Sequence, residues 1–171
     1  MGNDSRTILV AIDGSQNSKV AASVGARLAG LLHAHLGLIH VLDVPTFSFW
    51  VSVEAHMKEE IRAEAEATLS AISEQISKSC QVVPEFYIVE GLPEVEIPRA
   101  VGEDPNIVMV VLGSLGIATE TKAAQILSRR HIGHLAHKLS EVLTVPVLVV
   151  PPDVRPSLMC DAMQQYRAAA E

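Results

Sequence analysis

Short, continuous apolar runs recur along the chain, and segments with helical periodicity separate them. The runs include "TILVAI" at Thr7 to Ile12, a run at Ile107 to Leu112, and "VPVLVV" at Val145 to Val150. A strand that is apolar at successive positions is typical of a sheet covered on both faces. Helical segments between strands allow the crossovers that parallel pairing requires. The pattern therefore predicts a Rossmann-like α/β protein, an open five-stranded parallel sheet with helices on both faces.

Strand and helix alternate in this prediction from the first element to the last. The remaining strands are expected at His35–Val44 and Gln81–Val89. Apolar periodicity predicts helices over Gln16–Leu32, Val53–Lys78 and Gly133–Leu143, and Gly91-Leu92-Pro93 opens a further short one. Pro84 has no backbone N–H to donate to a neighbouring strand, so it suits an edge strand or the start of a strand. Pro98 is expected to make the short helix brief or kinked.

Composition narrows the class of protein. Hydrophobic residues make up 49% of the 171 residues and aromatics only 4%, so the core is expected to be aliphatic. The formal charge of −7 argues against nucleic acid and membrane surfaces as partners, because phosphate neutralisation needs a basic face. Cys80 and Cys160 form neither a metal-ligand pair nor a disulfide framework. With no secretory signal and no run long enough to span a bilayer, a cytoplasmic location is expected.

Candidate ligand-binding residues follow three of the predicted strands. Ligands of open parallel sheets bind beyond the carboxyl ends of the strands, where Asp13, Val41, Gly113 and Gly116 are expected. A carboxylate there can accept hydrogen bonds from ribose, and glycines allow backbone N–H groups to approach phosphate. The alternative is a simple turn with a helix cap at Asp13 to Ser15, and glycines that only relieve crowding. Neither the P-loop nor the dinucleotide glycine motif is present in the sequence.

Five motifs, in order, carry a resemblance to a known family. They are "TILVAIDGS", "IHVLDV", "EGLPEVEIPRAV", "VMVVLGSLG" and "GHLAHKLSEVLTVPVLVV". Together, from about Thr7 to Pro151, they resemble the universal stress protein family, with its adenine nucleotide alpha-hydrolase-like fold. The resemblance implies the strand order 3-2-1-4-5. The predicted domain spans residues 5–152, and after Pro151-Pro152 the sequence predicts a C-terminal tail over residues 153–171, helical in one interpretation. The resemblance also implies a homodimer formed by edge pairing of the last strand, Val145 to Val150.

One branch of that family binds ATP, and the resemblance carries its site onto this sequence residue by residue. Asp13 would contact the ribose and Val41 the adenine. Gly113 and Gly116 would present backbone to the phosphates, and Gly133 would open the helix whose N-terminus receives them. The implied ligand is ATP or AMP, with Mg²⁺ accompanying ATP.

Two departures from the family pattern leave two interpretations open. The interval between Gly116 and Gly133 is longer than in the nucleotide-binding branch, and His134 stands where a Ser or Thr is expected. In one interpretation, Arg129 and Arg130 in this interval donate paired hydrogen bonds to phosphate and so replace the contact of the missing Ser or Thr hydroxyl. In the other interpretation the insertion blocks the crevice, no cofactor binds, and the protein is a dimeric interaction module for an unidentified regulatory partner.

Catalysis and metal binding are weakly supported by the sequence. No nucleophile, general base and orienting residue can be assembled, so at most slow ATP hydrolysis is expected. His131, His134 and His137 recur at helical spacing but lack a completing Cys pair or acidic partner. We interpret them as solvated or helix-capping side chains, and no metal site is predicted.

Overall fold

The fold is an α/β sandwich around one parallel sheet. The computed structural model describes residues 6–42, 51–114 and 134–155. In these residues the sheet has five strands in the order β3-β2-β1-β4-β5. The strands are β1 (Thr7–Ile12), β2 (His35–Leu42), β3 (Glu85–Glu90), β4 (Ile107–Gly113) and β5 (Val147–Val150). The helices are α1 (Gln16–Leu32), α2 (Val51–Cys80), α3 (Pro93–Glu103) and α4 (His134–Val142).

All strand pairs are parallel, so the carboxyl ends of the strands meet at one edge of the sheet, which we call the carboxyl edge. At this edge Ile12 is paired with His40, Leu42 with Glu90, and Gly113 with Val150. The predicted element order, parallel sheet and strand order are confirmed. Pro84 directly precedes β3, which is an edge strand. This position agrees with the prediction made from proline's lack of a backbone N–H donor.

Aliphatic side chains fill a core on each side of the sheet. On the first side, Ile8 and Val10 of β1 pack with Leu69 of α2, and α1 belongs to the same layer. On the second side, Leu9 of β1 packs with Leu139 of α4 and residues of α3. Burying one such side chain contributes about 1.5–3 kcal/mol. The predicted placement of helices on both faces and the aliphatic core are confirmed.

Helix α1 lies close to the sheet because small residues form its buried face. The side chains that face the core are mainly alanines, Ala21, Ala22, Ala26 and Ala29, each with 0% of its surface exposed. Gly25 sits among them, and a Cβ atom there would overlap Cγ2 of Val10 on β1. The distance between α1 and β1 is therefore set by the absence of a side chain at Gly25.

Several element boundaries differ from those predicted. Strand β3 begins at Glu85 rather than Gln81, because α2 continues to Cys80 and Gln81 then adopts a positive φ of 56°. Strand β5 begins at Val147 rather than Val145, since Pro146 has no N–H to donate, although its carbonyl accepts from Val110 at 3.0 Å. The edge proposed for dimerisation is correspondingly shorter.

The remaining helix predictions differ less from the structure. Helix α3 spans 11 residues and continues through Pro98, with Pro93 in its first turn as expected. Helix α4 ends at Val142, one residue before the predicted end. None of the helices in the described ranges combines the length and apolarity needed to cross a membrane. Cys160, the end of the strand predicted to reach Val44, and the tail beyond residue 155 lie outside the described residues.

Candidate functional site

The turn between β1 and α1 presents an acidic side chain at the carboxyl edge. The backbone N–H of Ser15 donates to Oδ1 of Asp13 at 3.0 Å, and Gly14 between them has a φ of 84°, which favours glycine. Ser15 in turn caps α1, since its Oγ accepts from the N–H of Ser18 at 3.0 Å. The predicted cap is confirmed, and the same turn holds the exposed Asp13 carboxylate directly after the strand.

Val41 lies on the neighbouring strand, one residue before β2 ends. It is half-buried, pairs with Val89 of β3, and packs against the core cluster beneath α3 and α4. An apolar side chain at this position offers a surface suited to a flat aromatic base. Because β2 pairs directly with β1, Val41 near the end of β2 and Asp13 just after β1 lie at the ends of adjacent strands.

The end of β4 is packed against α1 through Gly113. A Cβ atom at Gly113 would lie 2.8 Å from both Cγ and Oδ1 of Asn17, and 3.2 Å from its backbone carbonyl carbon. A side chain at this position would therefore have to displace the Asn17 amide, whether or not a ligand is bound. Relief of crowding, the alternative considered for the glycines, accounts for Gly113.

Asn17 also binds the end of β5, a role that the sequence patterns did not reveal. Its Nδ2 donates to the carbonyl oxygen of Val150 at 3.1 Å, and that oxygen also accepts from the backbone N–H of Ser114 at 2.9 Å. The hydroxyl of Ser114 lies 3.5 Å from Oδ1 of Asn17. An amide two residues after a Ser helix cap was the available signal, but its partners are about a hundred residues away in sequence.

His134 is exposed at the start of α4, within range of an electrostatic interaction with Glu94 of α3. Helix α4 runs back toward the start of β5, so its N-terminus faces the carboxyl edge. Glu94 in the first turn of α3 accepts from Nζ of Lys138 at 3.0 Å. The pKa of Glu94 is held below its usual range by a hydrogen bond from its own backbone, by Lys138, and to the smallest extent by its electrostatic interaction with His134.

Half of the predicted site falls within the described residues. The structure places Asp13, Val41 and Gly113 after or near the ends of β1, β2 and β4, and His134 at the start of α4. The remaining predicted residues, Gly116, Arg129, Arg130 and Gly133, lie outside the described residues. Within the described ranges, no three His, Cys, Asp or Glu side chains come together as a possible metal site.

His40 is a half-buried titratable side chain beside this edge that the sequence analysis did not single out. It pairs with Ile12 of β1, and its Nδ1 is buried with no hydrogen-bond partner among the described residues. Desolvation lowers the pKa of His40 below 6.5, although a hydrogen bond with the Ile12 backbone and the charges of Asp13 and Glu64 act in the opposite direction. The imidazole is therefore neutral at pH 7.

The lowered pKa predicts that His40 makes the free energy of unfolding depend on pH. Below pH 6.5 the unfolded chain takes up a proton that the folded His40 resists, so stability is complete above this pH and falls as the pH drops further. The measurement is urea unfolding of the wild type and His40→Gln at about pH 7.5 and about pH 5.5. The variant should lose less stability between the two conditions, and an equal or larger loss would contradict the assignment.

Together, these features define an α/β protein with a Rossmann-like sheet and a candidate ligand crevice at the carboxyl edge. The family model described as the universal stress protein family matches residues 5–151, so the chain belongs to that family. Universal stress protein YxiE of Bacillus subtilis is 30% identical over 151 residues, which cover 84% of this chain and 97% of YxiE.

Solved structures of the family share the fold. Universal stress protein UspA from Lactobacillus plantarum matches with a TM-score of 0.72 at 19% identity, covering 85% of this chain and 97% of UspA. The Archaeoglobus fulgidus universal stress protein in complex with dAMP matches with a TM-score of 0.61 at 20% identity, covering 85% of this chain and 97% of the Archaeoglobus protein. An Arabidopsis thaliana family member with AMP bound matches with a TM-score of 0.59 at 16% identity, covering 85% of this chain and 91% of the Arabidopsis protein. Related proteins thus hold adenine nucleotides on this fold.

Proposed function

We propose that this protein is a cytoplasmic regulator that binds an adenine nucleotide, ATP or AMP, at the carboxyl edge of its sheet. The observation that carries the proposal is the convergence of Asp13, Val41 and the Gly113-Ser114 turn on the ends of β1, β2 and β4. The dAMP and AMP complexes of relatives with the same fold support it. Mg²⁺ is expected to accompany ATP, as a counter-ion of the phosphates.

Each half of the proposed site suits a different part of the ligand. The Asp13 carboxylate accepts hydrogen bonds from ribose hydroxyls, and Val41 provides an apolar contact for adenine. The N-termini of α1 and α4 point toward the carboxyl edge and favour phosphate through their N–H groups and dipoles. Arg129, Arg130 and His134 are the proposed additional phosphate contacts. Gly116 and Gly133 are the proposed backbone contacts.

A second candidate function, a dimeric interaction module with no nucleotide, is favoured by two observations. Gly113 is explained by its contact with Asn17 alone. Strand β5 lies at the edge of the sheet, with Val147, Leu148 and Val149 only partly buried in the single chain. A homodimer formed through β5 would cover this edge in either function.

Thermal unfolding with and without ligand tests nucleotide binding. ATP with Mg²⁺ at a hundredfold excess over the dissociation constant is expected to stabilise the protein by about 2.7 kcal/mol, with a matching rise in melting temperature. Asp13→Asn should weaken ATP more than 2′,3′-dideoxy-ATP, because the dideoxy compound lacks the hydroxyls that Asp13 would bind. The binding measurement is isothermal titration calorimetry on both proteins.

Glu103→Gln serves as the matched control because it also removes one carboxylate. Glu103 is exposed at the end of α3, at the opposite edge of the sheet, so its replacement should leave both affinities unchanged. Absence of a thermal shift at millimolar ATP, AMP and dAMP would reject nucleotide binding. If sedimentation then showed a dimer whose mass and dimerisation affinity are unchanged by ATP, the result would support the interaction module.

A further inference from the structure

Asn17 is a buried polar side chain of α1 that contacts two other segments of the chain, the turn after β4 and the end of β5. Only 5% of its surface is exposed. It belongs to the first turn of α1, its amide nitrogen donates to Val150 at the end of β5, and its amide oxygen faces Ser114 after β4. The missing side chain of Gly113 provides the space that this amide occupies.

These contacts lie between the two halves of the proposed nucleotide site. Asp13, on the ribose side, is held by the turn that begins α1. The Gly113-Ser114 turn, on the phosphate side, follows β4 and has its Ser114 N–H bound to Val150. The Asn17 side chain hydrogen-bonds the turn after β4 and the end of β5, and its own backbone belongs to the first turn of α1, directly after the turn that holds Asp13.

Burial makes these hydrogen bonds consequential. A buried amide that loses a hydrogen-bond partner is no longer compensated for its removal from water, which costs free energy. The arrangement therefore strongly favours one relative position of α1, the turn after β4 and the end of β5. The carbonyl of Val150 accepts from both Asn17 and Ser114, and a shift of β5 would disturb both bonds. Movement at the phosphate side is thereby linked to movement at the edge strand.

We propose that Asn17 is a positioning residue of the nucleotide site, which aligns the phosphate-side turn with the ribose-side turn and couples that turn to the end of β5. The inference rests on the proposed nucleotide binding and names a residue that contacts neither base nor ribose in that proposal. Asn17 acts through Gly113, Ser114 and Val150. Its loss should therefore lower the contribution of the phosphates to binding and leave the contribution of the nucleoside largely unchanged.

Titration calorimetry of ATP and adenosine against wild type and Asn17→Ala separates these contributions. Loss of the amide is expected to weaken ATP about tenfold, the equivalent of one buried hydrogen bond, and adenosine by less than about twofold. Hydrogen exchange gives a second readout. ATP should slow exchange in the wild-type peptide that contains β5, adenosine should not, and the ATP effect should disappear in the variant.

Ile76→Val is the control for a general loss of stability. Ile76 is 1% exposed near the end of α2, at the opposite edge of the sheet, so its shortening should leave the ratio of ATP to adenosine affinity unchanged. Asn17→Asp keeps the shape of the side chain but cannot donate to Val150, and it replaces Asn17→Ala in the exchange experiment if the alanine variant does not fold. Protection of β5 by ATP in Asn17→Asp would overturn the proposal.

Two further results would also overturn it. One is equal weakening of ATP and adenosine by Asn17→Ala, which is the signature of a purely structural role. The other is an unchanged ATP affinity in that variant. A wild-type protein that binds neither ligand would reject the proposed nucleotide binding itself, so the two failures are distinguishable.

Discussion

Gly113→Val is expected to lower the free energy of unfolding by about 3 kcal/mol, at the upper end of typical overpacking costs. The first atom of the new side chain would lie 2.8 Å from two atoms of the Asn17 amide, and the backbone of α1 behind it at 3.2 Å restricts how far that amide can move. In the proposed site the same displacement should weaken ATP by more than about tenfold. Urea unfolding and titration calorimetry measure the two effects.

Gly102→Val is the control for adding a valine in place of glycine. Gly102 lies in α3, and a Cβ atom there meets nothing within 4 Å. The control is expected to change stability by less than about 1 kcal/mol and to leave ATP binding unchanged. If Gly113→Val unfolds at the wild-type urea concentration, the contact between Asn17 and Gly113 is not a tight one and the structural explanation of this glycine is wrong.

Gly25→Ala is expected to destabilise the protein by about 2 kcal/mol, even though alanine is the better helix former. The added methyl would overlap Cγ2 of Val10 and lie 3.6 Å from Cδ1 of Leu36. Val10 is completely buried and branched at Cβ, so its methyl group cannot rotate away without a second clash. Urea denaturation followed by circular dichroism gives the change in the free energy of unfolding.

Gly30→Ala is a matched control on the same helix. A Cβ atom at Gly30 meets nothing within 4 Å, so this variant should gain up to about 1 kcal/mol from helix propensity. Val10→Ala combined with Gly25→Ala should be more stable than the sum of the single changes predicts, because the deleted methyl leaves room for the added one. Additive losses would show that α1 moves away from the sheet instead.

Much of the fold followed from the order of apolar runs and turns. Strand β1 and helix α1 have the predicted boundaries because Asp13-Gly14-Ser15 contains both a strand stop and a helix cap. The start of β3 was wrong by four residues, since apolar character alone did not reveal that α2 extends to Cys80. Local propensity does not show how long packing keeps a helix intact.

The candidate site was predictable only where its residues follow strands directly. Asp13 and Gly113 could be placed because parallel strands end at a common edge. Asn17 and His40 could not, because their roles depend on partners in other elements. In the sequence, Asn17 is one polar residue in a helix and His40 one interruption in a strand, and neither position shows the burial that makes it important.

The sequence by itself determined the class of fold, the alternation of strands and helices, the aliphatic core and the family. These properties depend on local patterns, which repeat with the period of a strand or a helix and end at residues with distinct backbone preferences. Only the tertiary structure decided that Gly113 and Gly25 mark close approaches of α1 to the sheet, and that Asn17 joins α1, β4 and β5. Close packing brings together atoms from distant parts of the chain, and no local pattern encodes those distances.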